Sequence, residues 1–181
     1  MQIRFVKVDD AAQLLAIYSP FVTNTATSFE AVAPTVQQFA ERITGYTGKY
    51  PWLVAEVNGQ IAGYACASKH REREAYQWCV EASVYVHPAF YRQGIAQQLY
   101  TKLFYLLQQQ QFVNVYAIIA LPNAASVALH QQMGFATVGV YENIGFKFGQ
   151  WHNVLWMVKY INPHTANPAL PLPVASIMHL V

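Results

Sequence analysis

The change of hydrophobic period around residues 87–94 limits what this chain can become more than any other feature. From about Trp78 to Val86 the residues have strand composition, and the run is stopped by His87-Pro88, because a residue before proline is pushed away from the helical region. From Ile95 onward, Ile95, Leu99, Leu103 and Leu106 recur at helical spacing, one apolar face that needs a sheet to pack against. A strand that hands over to a long helix within a few residues must belong to a layered α/β structure.

The flanking segments supply the other strands. Gln2 to Val8 reads as a strand, after which Asp9-Asp10 can cap a helix through Leu14, Leu15 and Tyr18, and Pro34 opens a second helix. Trp52 to Val57 and Gln60 to Ser68, joined by Asn58-Gly59, form a hairpin pattern. On the long helix, Gln97, Gln98 and the run Gln108 to Gln111 are expected to stay wet. Val113 to Leu121 is a further strand, Asn123 caps a short helix that stops at Gly134, and strands follow over about residues 137–141 and 151–160. The predicted order β, α, α, β, β, β, α, β, α, β, β mixes hairpins with crossovers, which implies a mixed sheet with helices on both faces. One domain over residues 1–161 accommodates all of it, and the tail 162–181, with Pro163, Pro168, Pro171 and Pro173, is expected to run extended over its own domain or a partner's.

Composition bears mainly on partners. Hydrophobic residues make up 54% of the 181 and charged residues 11%, so a large core is available and some apolar surface is expected to meet a second subunit. The formal charge of +2 and the lack of Lys/Arg runs argue against nucleic acid. The N-terminus has no signal-peptide pattern and no window is apolar enough to span a bilayer, so a cytoplasmic protein without a membrane role is expected. Cys66 and Cys79 read as free thiols, and no His, Cys and carboxylate cluster has metal-ligand spacing.

Placed between strand and helix, Tyr91-Arg92-Gln93-Gly94-Ile95-Ala96 is suited to phosphate, since a helix start presents unpaired N–H groups and a glycine lets oxygens approach the backbone. A lone glycine there also serves an ordinary tight turn, so the assignment depends on the rest of the chain. The turn resembles the acetyl-coenzyme A signature of GNAT acetyltransferases, with Tyr91 where the family usually has Gln or Arg. Further segments resemble the phosphinothricin and methionine sulfoximine acetyltransferases: Tyr50 to Glu56, Arg73 with Ala75-Tyr76 and Trp78, Val80-Glu81 before Ser83 to Val86, Leu121-Pro122-Asn123 with Ser126 and His130, and Gly145-Phe146-Lys147 with Gly149, Trp151 and His152. Asn153 stands where relatives commonly have Asp.

This resemblance implies a GNAT fold of about seven mostly antiparallel strands, acetyl-CoA as co-substrate without a metal, a homodimer, and N-acetylation of a small amino-acid analogue. Acetyl transfer needs a neutral amine, and an alkyl amine titrates near ~10.4, so a base is required. Glu81 occupies the family's base position; a free Glu titrates near ~4.3, so burial would have to raise it. The resemblance assigns the cofactor to Val84, Tyr85 and Val86, to the turn Arg92, Gln93, Gly94, Ile95, Ala96 and Gln97, and to Asn123 and Ser126. His130 stands where many relatives have a tyrosine acid, and reads equally as a proton donor or as a core histidine. The acceptor falls to Arg73, Glu74, Ala75 and Tyr76, with Arg71 and Glu72 read as a solvated loop, and Phe29 and Lys147 each read equally as a further pocket wall or as packing or surface. A non-catalytic acyl-CoA-binding module and an acetyltransferase for peptide amines are the competing functions.

Overall fold

The computed structural model describes all of residues 1–181. Seven strands form one sheet: β1 (Gln2–Phe5), β2 (Trp52–Val57), β3 (Gln60–Lys69), β4 (Cys79–Val86), β5 (Asn114–Ala120), β6 (Ala136–Lys147) and β7 (Gln150–Tyr160), in the order β1-β2-β3-β4-β5-β7-β6. Four helices accompany it: α1 (Ala11–Thr23), α2 (Val36–Thr47), α3 (Ile95–Gln109) and α4 (Ala124–Gln132). All neighbours are antiparallel except β4 and β5, whose parallel pairing follows from the α3 crossover between them. The element order and the mixed, mostly antiparallel sheet are those expected.

Alternation along the strands gives the sheet two apolar faces. Leu53 and Ala55 of β2, Val80 and Ala82 of β4 and Val115, Ala117 and Ile119 of β5 pack beneath Ile95, Leu99, Leu103 and Leu106 of α3. Trp52, Val54, Ile61 and Tyr64 turn the other way, against Leu14, Ile17 and Val22 of α1 and Phe39 and Ile43 of α2. Helices α1 and α2 cover only the β1–β4 half of this second face; the β5-β7-β6 half is left for the site and for an exposed hairpin.

Several boundaries differ from the expectation. β1 ends at Phe5 because Asp10 accepts from both Arg4 (2.8 and 2.9 Å) and the Lys7 amide (2.7 Å), folding residues 8–10 into a 3-10 turn. α2 is capped by Thr35, whose hydroxyl accepts from the Gln38 amide, and Pro34 lies just outside. β6 extends to Lys147 through an irregularity between Tyr141 and Gly145, which a period-two pattern cannot reveal.

Gln110 was expected to be wet and is fully buried. Its amide donates to Lys49 O (3.0 Å) and Leu172 O (2.7 Å), while the Leu172 N–H donates to Gln110 O (2.9 Å). This side chain therefore ties the α2 end and the C-terminal tail to the end of α3. The tail runs over its own domain, accepts from the Trp78 indole at Ala169 O (2.7 Å), and closes in short 3-10 turns. Val174 and Ile177 of these turns complete the α3-side core. Ile177→Ala is expected to cost about 3 kcal/mol, as truncating a buried aliphatic does; urea unfolding followed by tryptophan fluorescence checks it, and native-like stability would show that the tail is peripheral.

Candidate active site

β4 and β5 pair only at Cys79–Asn114, Val80–Val115 and Glu81–Tyr116, and beyond Glu81 they part. β4 then continues against β3 alone and β5 against β7 alone. The His87 N–H donates to Ala62 O (2.8 Å), so odd-numbered residues of β4 bond β3 and, beyond the last β4–β5 pair, the amides of Val84 and Val86 turn toward the gap. Thr27, Val84, Tyr85, Ile118, Asn123, Ser126 and His130 are among the residues lining this cleft. The Tyr85 ring leaves it for the other face, where it packs against Tyr18, Phe21 and Tyr64, so Tyr85 borders the cleft mainly with its backbone.

Glu81 sits at the vertex. Burial raises its carboxyl from 4.5 to about 7, and the positive charge of Arg71 works against that rise. Its Oε1 lies 3.1 Å from His70 Nδ1. His70 stacks on Tyr116 at 4.4 Å, with the edges of Tyr76 and Trp156 about it, and burial holds its pKa below the usual imidazole range. The Trp156 indole N–H is buried without a partner, and the Arg71 guanidinium lies 5.6 Å over the same ring. Reading the sequence missed His70, Tyr116 and Trp156; Arg71 is exposed, as a solvated loop residue should be, but its guanidinium also reaches the Trp156 ring. The β3–β4, β4–β5 and β5–β7 registers, which set Ser68 against Glu81, Glu81 against Tyr116 and Ile118 against Trp156, bring them to one place.

The remaining predicted residues fall into three groups. Arg92 (φ 61°) and Gly94 (φ 75°) both take left-handed backbone, which bends the chain so that the first amides of α3 open outward, a geometry that fits a pyrophosphate. Gln93, Ile95, Ala96 and Gln97 share this turn, Gln97 donating to Gln132 of α4 (3.0 Å). Asn123 caps α4 by accepting from the Ser126 amide (3.1 Å). His130 Nδ1 donates to Ser126 O (2.7 Å), which leaves Nε2 to accept from the Tyr100 hydroxyl (3.1 Å). Both ring nitrogens are therefore engaged, and burial lowers its pKa.

Arg73, Glu74, Ala75 and Tyr76, the residues expected to meet the acceptor, form an exposed turn, of which the Tyr76 ring reaches the His70 cluster. Arg73 makes no ion pair, and Arg71 is the cation that acts on Glu81. Phe29 lies apart from the vertex, against Gly145, where an added Cβ would come within 2.1 Å of its ring. Lys147 is buried and donates to Val22 O and Ser28 O, both at 2.6 Å, fastening the loop that carries Thr27 and Phe29 to β6. Asn153 accepts from the Asn143 amide (2.8 Å) and so supports the β6 irregularity. Tyr91 is exposed.

A mixed sheet parted at its centre, with a helix N-terminus after the parted strand, defines an acyl-coenzyme A-binding class of α/β protein. Residues 3–156 match the family described as Acetyltransferase (GNAT) domain. The chain belongs to this family of acetyl-CoA-dependent N-acetyltransferases. It is 35% identical over 173 residues to a phosphinothricin N-acetyltransferase of Streptomyces viridochromogenes, covering 95% of this chain and 94% of that protein. It is 32% identical to the L-methionine sulfoximine/L-methionine sulfone acetyltransferase of Salmonella typhimurium, over 93% of this chain and 99% of that one. Among solved structures, a phosphinothricin acetyltransferase from Sinorhizobium meliloti in complex with AcCoA superposes with a TM-score of 0.89 at 32% identity, covering 93% of this chain and 92% of that chain.

The raised carboxyl has a consequence for stability. Because the folded state binds the Glu81 proton more tightly than the unfolded chain does, ionising it opposes folding, from pH 4.5 upward and fully above about 7. Glu81→Gln is expected to match the native protein near pH 4.5 and to melt at a higher temperature at pH 8. Thermal unfolding at the two pH values checks this, and equal melting temperatures at pH 8 would mean that Glu81 is solvated.

Proposed function

We propose that the chain acetylates the amino group of a small amino-acid-like acceptor of the methionine sulfoximine, methionine sulfone or phosphinothricin type, using acetyl-CoA. The observation that carries this reading is the half-buried carboxylate of Glu81 at the point where β4 and β5 part. The substrate class comes from the relatives, whose names specify such acceptors.

When bound, acetyl-CoA supplies an activated acetyl carbonyl and a thiolate leaving group. The α3 turn from Arg92 to Gln97 would hold the pyrophosphate, and the free amides of Val84 and Val86, with Asn123 and Ser126 opposite, would flank the pantetheine arm in the cleft. Those β4 amides are also fixed dipoles for the charge that develops on the carbonyl oxygen. Glu81 takes the proton from the acceptor ammonium; each pKa unit by which burial brings the carboxyl nearer the amine lowers the cost of that transfer by about 1.4 kcal/mol. Arg71 and Arg73 are the two cations available to the acceptor's acid group. The engaged nitrogens of His130 favour a packing role, Tyr100 and His130 together supporting the cleft floor.

A cytoplasmic homodimer is part of the proposal. No helix is long and apolar enough to cross a membrane. The β6–β7 hairpin at the sheet edge exposes Val138, Ile144, Phe146 and Trp151, the kind of patch that a second copy covers.

Thiol release from acetyl-CoA, measured with methionine sulfoximine, phosphinothricin, ordinary amino acids and a peptide amine, tests the reading. Turnover is expected with the small analogues, to rise with pH through about 7 on its acid side, and to fall ~10²-fold in Glu81→Gln. Binding of coenzyme A without turnover would favour the binding module, and preference for the peptide would favour the protein-amine enzyme. Phe146→Asp is expected to shift the protein to monomer in sedimentation velocity, whereas an unchanged dimer would place the interface elsewhere.

A further inference from the structure

We infer that His70 is a positioning residue for the proton-transfer step: its Nδ1–H holds one oxygen of Glu81 so that the other is left to meet the acceptor amine. The inference rests on Glu81 being the base. It goes beyond that reading because it assigns a task to a side chain at the end of β3 that no acetyltransferase motif of this chain contains.

The geometry carries it. Ser68 pairs with Glu81 and Lys69 with Val80, so His70, two residues beyond Ser68, comes to the same face of the sheet diagonally next to Glu81. The Nδ1 to Oε1 distance is 3.1 Å. The His70 side chain is 8% exposed and that of Glu81 29%, so the ring is walled in while the carboxylate remains open to a reactant. The ring plane has little freedom: Tyr116 stacks on it at 4.4 Å and 10°, and Trp156 and Tyr76 meet it edgewise at 5.8 and 6.1 Å, each at 77°. The packing fixes the plane of the ring, and in that plane Nδ1 faces Oε1.

The protonation pattern agrees. An ionised carboxylate only accepts hydrogen bonds, so Nδ1 must carry the hydrogen and Nε2, which has no protein partner, is the bare nitrogen. The charged and titratable groups about the pair are Arg71, Tyr76 and Tyr116. The cation of Arg71 disfavours an imidazolium, and burial does the same, so His70 stays neutral while Glu81 ionises. A charged imidazolium would instead pull the carboxyl down and weaken it as a base. In the cycle, Oε2 of Glu81 receives the ammonium proton and later releases it to solvent; the Nδ1–H hydrogen stays where it is, and no proton passes through His70.

His70→Phe keeps the aromatic stack and removes the donor, and His70→Asn puts an amide N–H near the place of Nδ1. Both are compared with the native enzyme, with Glu81→Gln and with the His70→Phe/Glu81→Gln double variant, in kcat, in KM for each substrate and in the pH profile, after melting curves confirm folding. The expected result is a fall of about tenfold in kcat for His70→Phe with KM for acetyl-CoA unchanged. The pKa of its acid limb should move up, because the ionised carboxylate has lost a donor. His70→Asn should restore most of both, and His70→Phe should add nothing once Glu81 is Gln. Native kcat and pH profile in His70→Phe overturn the inference, as does an Asn variant no better than Phe, or a full effect persisting in the double variant. Native turnover in Glu81→Gln overturns the base assignment itself, and the inference with it.

Discussion

The structure depends on a pairing that stops early. β4 and β5 are joined over three residue pairs, enough to keep one continuous sheet and one core beneath α3, and then separate. Separation leaves backbone amides without strand partners, which is costly in a dry interior and tolerable only beside water or a ligand. A sheet edge inside the domain is therefore an internal binding surface. The α3 turn, which has to follow β4 directly, brings a helix N-terminus to the open end of the same gap. Strand amides and helix amides thus border one elongated cleft, with the Glu81 carboxyl at its vertex.

The same parting explains the state of Glu81. A carboxyl at the last paired position is deep enough to be desolvated yet next to a cleft that a reactant can enter, and its pKa is raised accordingly. Its surroundings are aromatic rather than basic: Tyr116, Trp156, Tyr76 and the neutral ring of His70 lie about it, with only Arg71 carrying charge. Had a lysine or arginine been paired directly with Glu81, the carboxyl would have been held low. The site spends folding stability to keep a reactive group, as functional sites commonly do.

Two buried polar side chains hold the rest in register with the cleft. Lys147 joins β6 to the loop after α1 through two carbonyls, one of them at the end of a helix where carbonyls lack partners. Gln110 joins the end of α3 to the tail and to the end of α2. Each makes hydrogen bonds shielded from water, so the loop after α1 and the end of α3 are both anchored.

Much of this was legible along the chain, because local physics decides it. Period-two and period-3.6 patterns, the Asn58-Gly59 turn, the His87-Pro88 stop, the Gly94 turn and the Asn123 cap are set by neighbours a few residues away, and the element order followed from them. The residues that meet through tertiary contact were not legible. His70 and Glu81, Arg71 and Trp156, and Gln110 and Leu172 are brought together by strand register and by the path of the tail, and nothing local marks them. The sequence alone determined the order of strands and helices, the strand-to-helix turn at Gly94 and the cap at Asn123, because each is set by neighbours a few residues away. Only the folded structure decided how that acid is buried, which ring holds it and which cation it sees, since burial and register are properties of segments far apart in the chain.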